Sequence, residues 1–303
     1  NAIGGSGADL LTGNELDNRL DGGGGADTLH GGGGNDVFDW DAGKRLGSDT
    51  FYGGAGDDTF ALDTATDRVV ELRGEGNDTV WASVSYSLAN QPDVENVRGL
   101  GTTGLRLEGN AADNVLSGTS ANDTLSGGAG IDTVVFGGAR GAYAFTATSS
   151  GFSARGEGID TLASIERFVF ADQALAWDLD GRAGTVARIL GAVMGPGAAG
   201  NSTLAGIGLA LADAGTAEGA LVQLAIEARV GAGASHQAVV ELLYFNVMGA
   251  QPNAATEGYL SSLLDSGAMN VADLGLMAVN HPQNSLNIGL TGLSQTGLAY
   301  LPH

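Results

Sequence analysis

Two consecutive nine-residue units near the N-terminus constrain the fold more than any other stretch. They read GGGGADTLH from Gly22 and GGGGNDVFD from Gly31, each with an acid at the sixth position and an apolar residue at the eighth. A flexible glycine linker has no reason to keep an acid and an apolar residue in phase. Glycine permits the positive φ angles of a tight loop. The pattern therefore predicts a turn that carries an acid, followed by a short buried strand.

The nine-residue period continues on both sides of these units. A four-residue insertion around residues 40–43 and a two-residue insertion before Asp78 keep the register, and the period lapses into alternating strands between residues 81 and 109 before it returns. Two repeat blocks result, residues 4–81 and 109–135. The sixth positions are Asp9, Asn18, Asp27, Asp36, Asp49, Asp58, Asp67, Asp78, Asn114, Asp123 and Asp132.

The eighth positions test this register independently, because a strand that faces a core needs an apolar residue at a fixed place. They are apolar in every unit: Leu11, Leu20, Leu29, Phe38, Phe51, Phe60, Val69, Val80, Leu116, Leu125 and Val134. The alternative is a disordered acidic linker, in which no such phase is expected.

A fixed period of this length indicates a solenoid, and these units resemble the calcium-binding nonapeptide repeat of RTX (haemolysin-type) proteins over roughly residues 4 to 135. The resemblance implies a parallel β-roll in which successive units alternate between two faces. Units one coil apart then stack at the spacing of neighbouring strands, about 4.8 Å. The stacked pairs expected are Asp9 with Asp27, Asn18 with Asp36, Asp27 with Asp49, Asp36 with Asp58, Asp58 with Asp78, and Asn114 with Asp132.

Stacked carboxylates repel one another, and a bound cation makes the electrostatic energy of the stack favourable. Carboxylate and backbone carbonyl oxygens suit Ca²⁺ better than Mg²⁺ or Zn²⁺. Asn18 and Asn114 lack a charge, so weaker sites are expected there. The predicted calcium ligands are Asp9, Asn18, Asp27, Asp36, Asp49, Asp58, Asp78, Asn114, Asp123 and Asp132, with Gly4, Ser6, Gly22, Gly23, Gly24, Gly25, Gly31, Gly32, Gly33, Gly34, Gly53, Gly54 and Gly56 in the turns.

Composition excludes several partners and scaffolds. The chain of 303 residues has a net charge of −22, which repels nucleic acid and anionic membranes. It has no cysteine, so neither disulfides nor thiolates staple it. Its apolar runs fall short of the roughly 18 residues of a membrane span. Because it starts at Asn1 inside a repeat, we expect a C-terminal piece of a longer chain.

The remaining sequence predicts a second architecture, so the fold class expected is a β + α multidomain protein. The domains predicted are a β-roll over residues 1–135, a β-hairpin cap over 136–182 and an all-α domain over 183–303. Helical periodicity covers Ala183–Met194, Leu204–Ala214, Ala217–Val230, Gln237–Val247 and Ala254–Leu264. Ser235, Asn253 and Asn270 with Asp273 are expected N-caps, and Gly249 and Gly267 expected stops.

Two resemblances concern the helical part. Fragments such as ELLYFNVMGAQP and EGYLSSLLDSG resemble a domain of unknown function that follows RTX repeats in bacterial surface proteins, although the aromatic-rich signature expected after the second fragment is missing. Residues 274–303 contain no Asp, Glu, Lys or Arg and resemble the C-terminal signal by which RTX proteins leave the cell through a type I secretion channel. The alternative is a buried last helix.

The sequence favours a non-enzymatic role. No pair of the four histidines has metal-ligand spacing, and neither a GxSxG motif nor a cysteine nucleophile occurs. The function expected is a calcium-dependent extracellular structural or assembly module of a type I secreted bacterial surface protein, of S-layer or adhesin type, with self-assembly through the helical domain. The alternative is the secretion and folding tail of a large RTX hydrolase whose catalytic domain lies upstream. A pure calcium buffer would leave the helical domain unused.

Overall fold

The computed structural model describes residues 1–38 and 47–302, so the insertion expected around residues 40–43 lies outside the described part. The chain forms two compact units, Asn1–Asp172 and Gln173–His303. The finer boundaries at residues 135 and 182 stay predictions. The fold class expected from the sequence, a parallel β-solenoid followed by a helical region, is confirmed.

The first unit is built from short strands separated by turns. The odd-numbered strands β1 to β15, continued by β19, form one parallel face, while β2, β4, β6 and β8 and then β10, β12, β14 and β18 form the other. The strands are β1 (Ala2–Ile3), β2 (Leu10–Thr12), β3 (Arg19–Asp21), β4 (Thr28–Gly33), β5 (Val37–Phe38), β6 (Thr50–Ala55), β7 (Thr59–Leu62), β8 (Arg68–Val70), β9 (Thr79–Ala82), β10 (Tyr86–Ser87), β11 (Asn96–Gly99), β12 (Arg106–Glu108), β13 (Val115–Ser117), β14 (Thr124–Ser126), β15 (Thr133–Val135), β16 (Ala144–Thr148), β17 (Gly151–Arg155), β18 (Ile159–Ala163) and β19 (Arg167–Val169).

The eighth-position residues form the interior of the roll. Each lies in register with its counterpart one coil away. The core therefore consists of equivalent positions stacked from coil to coil. Phe38 stacks on Phe60 with ring centroids 4.9 Å apart, and Leu11 on the first rung is only half-buried. On the first face the register runs Leu20, Phe38, Phe60, Val80, Val97, Leu116, Val134 and Phe168.

A β-hairpin interrupts the solenoid after β15, within the segment predicted as a β-hairpin cap. Strands β16 and β17 pair antiparallel, and β17 pairs antiparallel with β18. Strand β18 itself pairs parallel with β14, and β19 pairs parallel with β15. The segment expected only to cap the roll therefore also extends it, because Leu162 and Phe168 continue the buried stack.

The second unit is helical, with one short antiparallel pair formed by β20 (Ala174–Ala176) and β21 (Leu298–Tyr300). Helix α1 continues into a π-helical turn, Leu190–Met194, and a 3₁₀ turn, Pro196–Gly200, follows. The helices within the described residues are α1 (Arg182–Ile189), α2 (Ser202–Asp213), α3 (Glu218–Val230), α4 (His236–Met248), α5 (Ala254–Asp265), α6 (Val271–Val279), α7 (Pro282–Asn287) and α8 (Leu290–Thr296).

The helix ends follow the local signals in the sequence. Ser235 and Asn253 accept hydrogen bonds from the third backbone N–H beyond them, and Asn270 with Asp273 forms a capping box. Gly249 ends α4 in the left-handed region, with φ at 73°. These caps satisfy backbone donors that the first turn of a helix leaves free.

The uncharged C-terminal stretch is folded in this unit. Leu298 is fully buried, and Leu290 and Leu293 pack against the helical core, while Leu301 is 46% exposed. Packing in the folded unit is thus established for three of these four leucines. The proposed reading of the stretch as an export signal stays a prediction.

A search of the described residues finds that none of the helices combines the length and the apolar character that crossing a membrane requires.

Candidate calcium-binding sites

The sixth-position residues form two ladders of hydrogen bonds along the roll, one in the turns before each face. Their backbone N–H groups donate to the side-chain oxygen of the sixth-position residue one coil later. In the first ladder, the Asp36 N–H donates to Asp58 Oδ1 over 2.7 Å and the Asp58 N–H donates to Asp78 Oδ1 over 2.9 Å. Stacking of the coils therefore holds each acid at a fixed place beneath the next.

All six stacked pairs expected from the period are joined in this way. The N···O distances lie between 2.6 and 2.9 Å for Asp9–Asp27, Asn18–Asp36, Asp27–Asp49, Asp36–Asp58, Asp58–Asp78 and Asn114–Asp132. The Asp49 N–H continues the second ladder to Asp67 Oδ1. The predicted pairing is confirmed, and the assignment of individual residues as calcium ligands stays a prediction.

The turns fall into two classes, closed and open, according to the hydrogen bonding of the second carboxylate oxygen, Oδ2, of the sixth-position acid. In the closed turns it accepts a local N–H four residues back, as Asp9 does from Gly5 and Asp123 from Thr119. The amide oxygens of Asn18 and Asn114 are occupied similarly. In the open turns the second oxygen is buried without a hydrogen-bond partner among the described residues. These oxygens belong to Asp27, Asp36, Asp58, Asp78 and Asp132.

Glycine conformation distinguishes three of the open turns. In the turns that precede Asp27, Asp36 and Asp58, the second and fourth residues have positive φ, a conformation that residues with a Cβ rarely adopt. The angles are 86° and 136° at Gly23 and Gly25, 114° and 90° at Gly32 and Gly34, and 102° and 129° at Gly54 and Gly56.

The first glycine of each turn is required for space. A Cβ at Gly22, Gly31 or Gly53 would collide with the Oδ2 of the acid in its own turn, so these carboxylates lie directly against the backbone. Gly4 faces Asp9 Oδ2 and the carbonyl of Gly22 in the same way. Gly24 and Gly33 donate their N–H groups to carbonyls of the preceding coil. Ser6 is exposed on the first turn.

Three members of the ladders escaped the sequence analysis. Glu95 accepts from the Asp78 N–H, Glu166 from the Asp132 N–H and Asp160 from the Asp123 N–H, with N···O distances of 2.8, 2.8 and 2.9 Å. A signal for Asp160 existed, because RGEGIDT at residues 155–161 repeats RGEGNDT at 73–79. The hairpin separates Asp160 from its neighbours in the repeat and hides the period.

Another missed residue is Glu71, which lies in the two-residue insertion. Carboxylate oxygens of Asp58, Glu71 and Asp78 lie within 4.8 Å of one another. These three residues are the one group of three or more side chains able to hold a metal ion that is found among residues 1–38 and 47–302.

Burial makes these acids resist ionisation without a cation. Removal from water, together with the charges of Asp36 and Asp78, raises the pKa of Asp58 to about 7. Burial likewise raises the pKa of Asp132 to about 7 and of Asp78 to about 6, helped in each case by a neighbouring glutamate. The backbone hydrogen bonds of the ladder act in the opposite direction but do not outweigh burial.

The open turns suit calcium. Each offers a buried carboxylate oxygen that has no partner among the described residues, and glycine backbone brings carbonyl oxygens close in several of them. An all-oxygen donor set of this kind is the preference of Ca²⁺. A bound ion would supply the positive charge that the stacked carboxylates lack. The first unit is therefore a parallel β-solenoid whose acid-bearing turns are built for a divalent cation.

Comparison with known families agrees with this class. The family model described as RTX calcium-binding nonapeptide repeat (4 copies) matches residues 3–38, 46–69 and 106–138. These segments are thus RTX repeats, and RTX nonapeptide repeats bind calcium ions. RTX repeats are typical of secreted bacterial proteins. A search of curated proteins finds no match.

Proposed function

We propose that this chain is a calcium-dependent extracellular module of a type I secreted bacterial surface protein, of S-layer or adhesin type, and that it has a structural rather than a catalytic role. The observation that carries the proposal is the pair of buried acid ladders with unpartnered carboxylate oxygens. Repulsion between these buried carboxylates disfavours folding of the roll until a bound cation neutralises their charge. Folding is then controlled by the calcium concentration.

The mechanism links export to folding. Extracellular calcium modules have dissociation constants of about 10⁻⁴ to 10⁻³ M, far above the free calcium of a cytosol. The repeats therefore stay unfolded inside the cell, where the secretion channel requires an unfolded chain, and close outside it. Binding free energy becomes folding free energy because the site does not exist in the unfolded chain.

The acid ladders provide the first test. Replacing Asp27 and Asp36 by alanine removes two buried carboxylates from open turns. We expect the calcium concentration at the midpoint of folding, followed by far-ultraviolet circular dichroism, to rise. The double variant Asp39→Ala and Asp41→Ala is the control, because it removes two acids that do not occupy sixth positions. An unchanged midpoint in the Asp27 and Asp36 variant contradicts the proposal.

The helical unit supports the assembly part of the proposal. It exposes large apolar side chains, among them Tyr259 at 64% and Met277 at 55%. An apolar groove of roughly 330 Å³ also lies between α1, α2 and α3, with Ile207 and Leu224 on its rim. Exposed apolar surface of this kind is typical of contacts between proteins.

Light scattering with electron microscopy tests the assembly role, with calcium raised from chelator conditions to roughly 10 mM so that the expected affinity is bracketed. Ordered sheets or filaments that appear with calcium support a surface lattice. A compact monomer at every calcium concentration contradicts self-assembly. It would leave calcium-dependent folding intact and favour either an adhesin stalk or the alternative function, the secretion and folding tail of a large RTX hydrolase.

A further inference from the structure

The side chain of Glu71 takes a place that backbone carbonyl oxygens take elsewhere in the roll. A Cβ on the first glycine of a turn would collide with the carbonyl oxygen of the matching residue one coil later. At Gly53 the oxygen in that place is Glu71 Oε1 instead. The glycines with a carbonyl there, each followed by its partner, are Gly4 with Gly22, Gly13 with Gly31, Gly31 with Gly53, Gly109 with Gly127, and Gly127 with Ser164.

The hydrogen bonds show the same replacement. The N–H of Gly53 donates to Glu71 Oε1 over 3.0 Å. At Gly4, Gly13 and Gly109 the corresponding N–H donates to a backbone carbonyl of the next coil, at 2.7 to 2.8 Å. Glu71 thus brings a charged oxygen to a position where other turns have a neutral one. The two-residue insertion makes room for it.

The other oxygen of Glu71 points to a ligand. Glu71 Oε2 is buried and has no hydrogen-bond partner among the described residues, and the same holds for the Oδ2 atoms of Asp58 and Asp78. Both aspartates are 1% exposed. With the oxygens of all three carboxylates within 4.8 Å of one another, the cluster combines unpaired acceptors in a space closed to water.

We propose that Asp58, Glu71 and Asp78 form a three-carboxylate calcium site that is the tightest in the roll and the first to fill. The inference rests on the proposed calcium-gated folding and adds the order of binding. The neighbouring pair of Asp36 and Asp58 offers two carboxylates to the same kind of turn. The number of charged ligands sets calcium affinity across sites of similar geometry, so the third carboxylate separates this site from the rest.

The position of this site also bears on the order in which the roll folds. It joins the turn before β7 to the turn before β9, within the first repeat block and next to the stretch where the glycine pattern lapses. Filling it first ties these two coils together at a calcium concentration at which the two-carboxylate turns are still empty. Closure of the first block then proceeds from this end.

The test compares calcium binding in the full chain and in two charge-matched variants, by titration with calcium alone against a chromophoric chelator. Glu71→Gln keeps an oxygen for the Gly53 N–H and removes the charge. Glu75→Gln removes the same charge from the same turn, at a side chain that instead accepts from the Leu72 N–H. We expect the tightest step to weaken about tenfold or more in Glu71→Gln and to change by less than about threefold in Glu75→Gln.

Several outcomes overturn the inference. An unchanged tightest step in Glu71→Gln does so, and so does an equal weakening in Glu75→Gln, which would indicate a general effect of charge. In both cases folding that still depends on calcium leaves the proposed function standing. A wild-type chain that folds equally well in chelator would instead remove the proposed function itself. If Glu71→Gln does not fold at saturating calcium, Glu71→Asp replaces it, with a smaller loss of affinity expected because the charge is kept on a shorter side chain.

Discussion

The two units of this protein differ in the polar groups that they bury. Residues 1–172 hold 26 of the 35 acidic residues, and several of these acids are buried with an oxygen left unpaired. In the helical unit, the buried Asn246 donates through Nδ2 to the carbonyls of Ala192 and Val193 at 3.1 and 2.8 Å, where the π-helical turn ends. A neutral amide satisfied within the chain needs no ion. The contrast indicates that a cation would complete the buried acids of the repeats, whereas the chain itself satisfies Asn246.

Removal of calcium tests this contrast with the largest expected effect. In chelator we expect the strands of the roll to lose hydrogen-exchange protection while the core helices α3, α4 and α6 keep theirs. Each ion present at a hundredfold excess over its dissociation constant contributes about 2.7 kcal/mol, and several ions act together. Exchange followed by mass spectrometry, with and without calcium, measures both units in one sample. Equal loss of protection in both would show that they fold as one.

Acid should partly replace calcium. The folded-state pKa values of Asp58, Glu71 and Asp132 are raised to about 7, 8 and 7, above the values of 3.8 and 4.5 for free aspartate and glutamate. The folded roll therefore retains protons that the unfolded chain releases. Its stability without calcium is greatest near pH 4 and falls as the pH rises through about 6 to 8.

Circular dichroism in chelator between about pH 5 and pH 8 measures this acid effect. We expect the strand signal to increase on acidification and the helical signal to stay constant. Saturating calcium is the control, since it should remove most of the dependence on pH. A roll that is less ordered at pH 5 than at pH 8 would contradict the assignment of the buried carboxylates.

Asn246→Ala probes the helical unit with an intermediate effect. It leaves the carbonyls of Ala192 and Val193 without their donor, and we expect a loss of roughly 1–3 kcal/mol in the free energy of unfolding. Urea denaturation should give the same loss with and without calcium. Asn280→Ala is the matched control, because Asn280 is exposed and its removal should cost less than about 0.5 kcal/mol. A loss that depends on calcium would couple the two units.

Two glycine substitutions give the smallest effects, with opposite signs. Gly54 has a φ of 102° and its Cβ would collide with the Gly32 carbonyl, so Gly54→Ala should destabilise the roll by about 1–2 kcal/mol or more. Gly258 lies inside α5, and a Cβ there meets nothing within 4 Å. Gly258→Ala should stabilise the helical unit by about 0.5–1 kcal/mol. Thermal unfolding of each variant measures both.

Much of the roll was predictable because its information is local and repeated. A nine-residue period predicts which residue faces inward and which acid lies in the turn. Each further repeat unit confirms the register of the one before it. The helix caps at Ser235, Asn253 and Asn270 were predictable for the same reason, since a cap involves residues three positions apart. The irregular end of α1 was not, because its carbonyls depend on Asn246, more than fifty residues later.

The sequence by itself predicted a solenoid with an acid in each turn and the helical character of the second unit, because each follows from a period or a short-range signal. Its resemblance to RTX repeats added the parallel β-roll and the stacked pairs of acids. Only the tertiary structure decided which acids keep an unpaired oxygen, how Asp160 and Glu166 rejoin the ladders after the hairpin, and that Glu71 stands where a carbonyl is expected. The physical reason is that these features arise from contacts between coils. Residues 17 to 37 positions apart come into contact there. These separations depart from the 18-residue coil, so no fixed period encodes them.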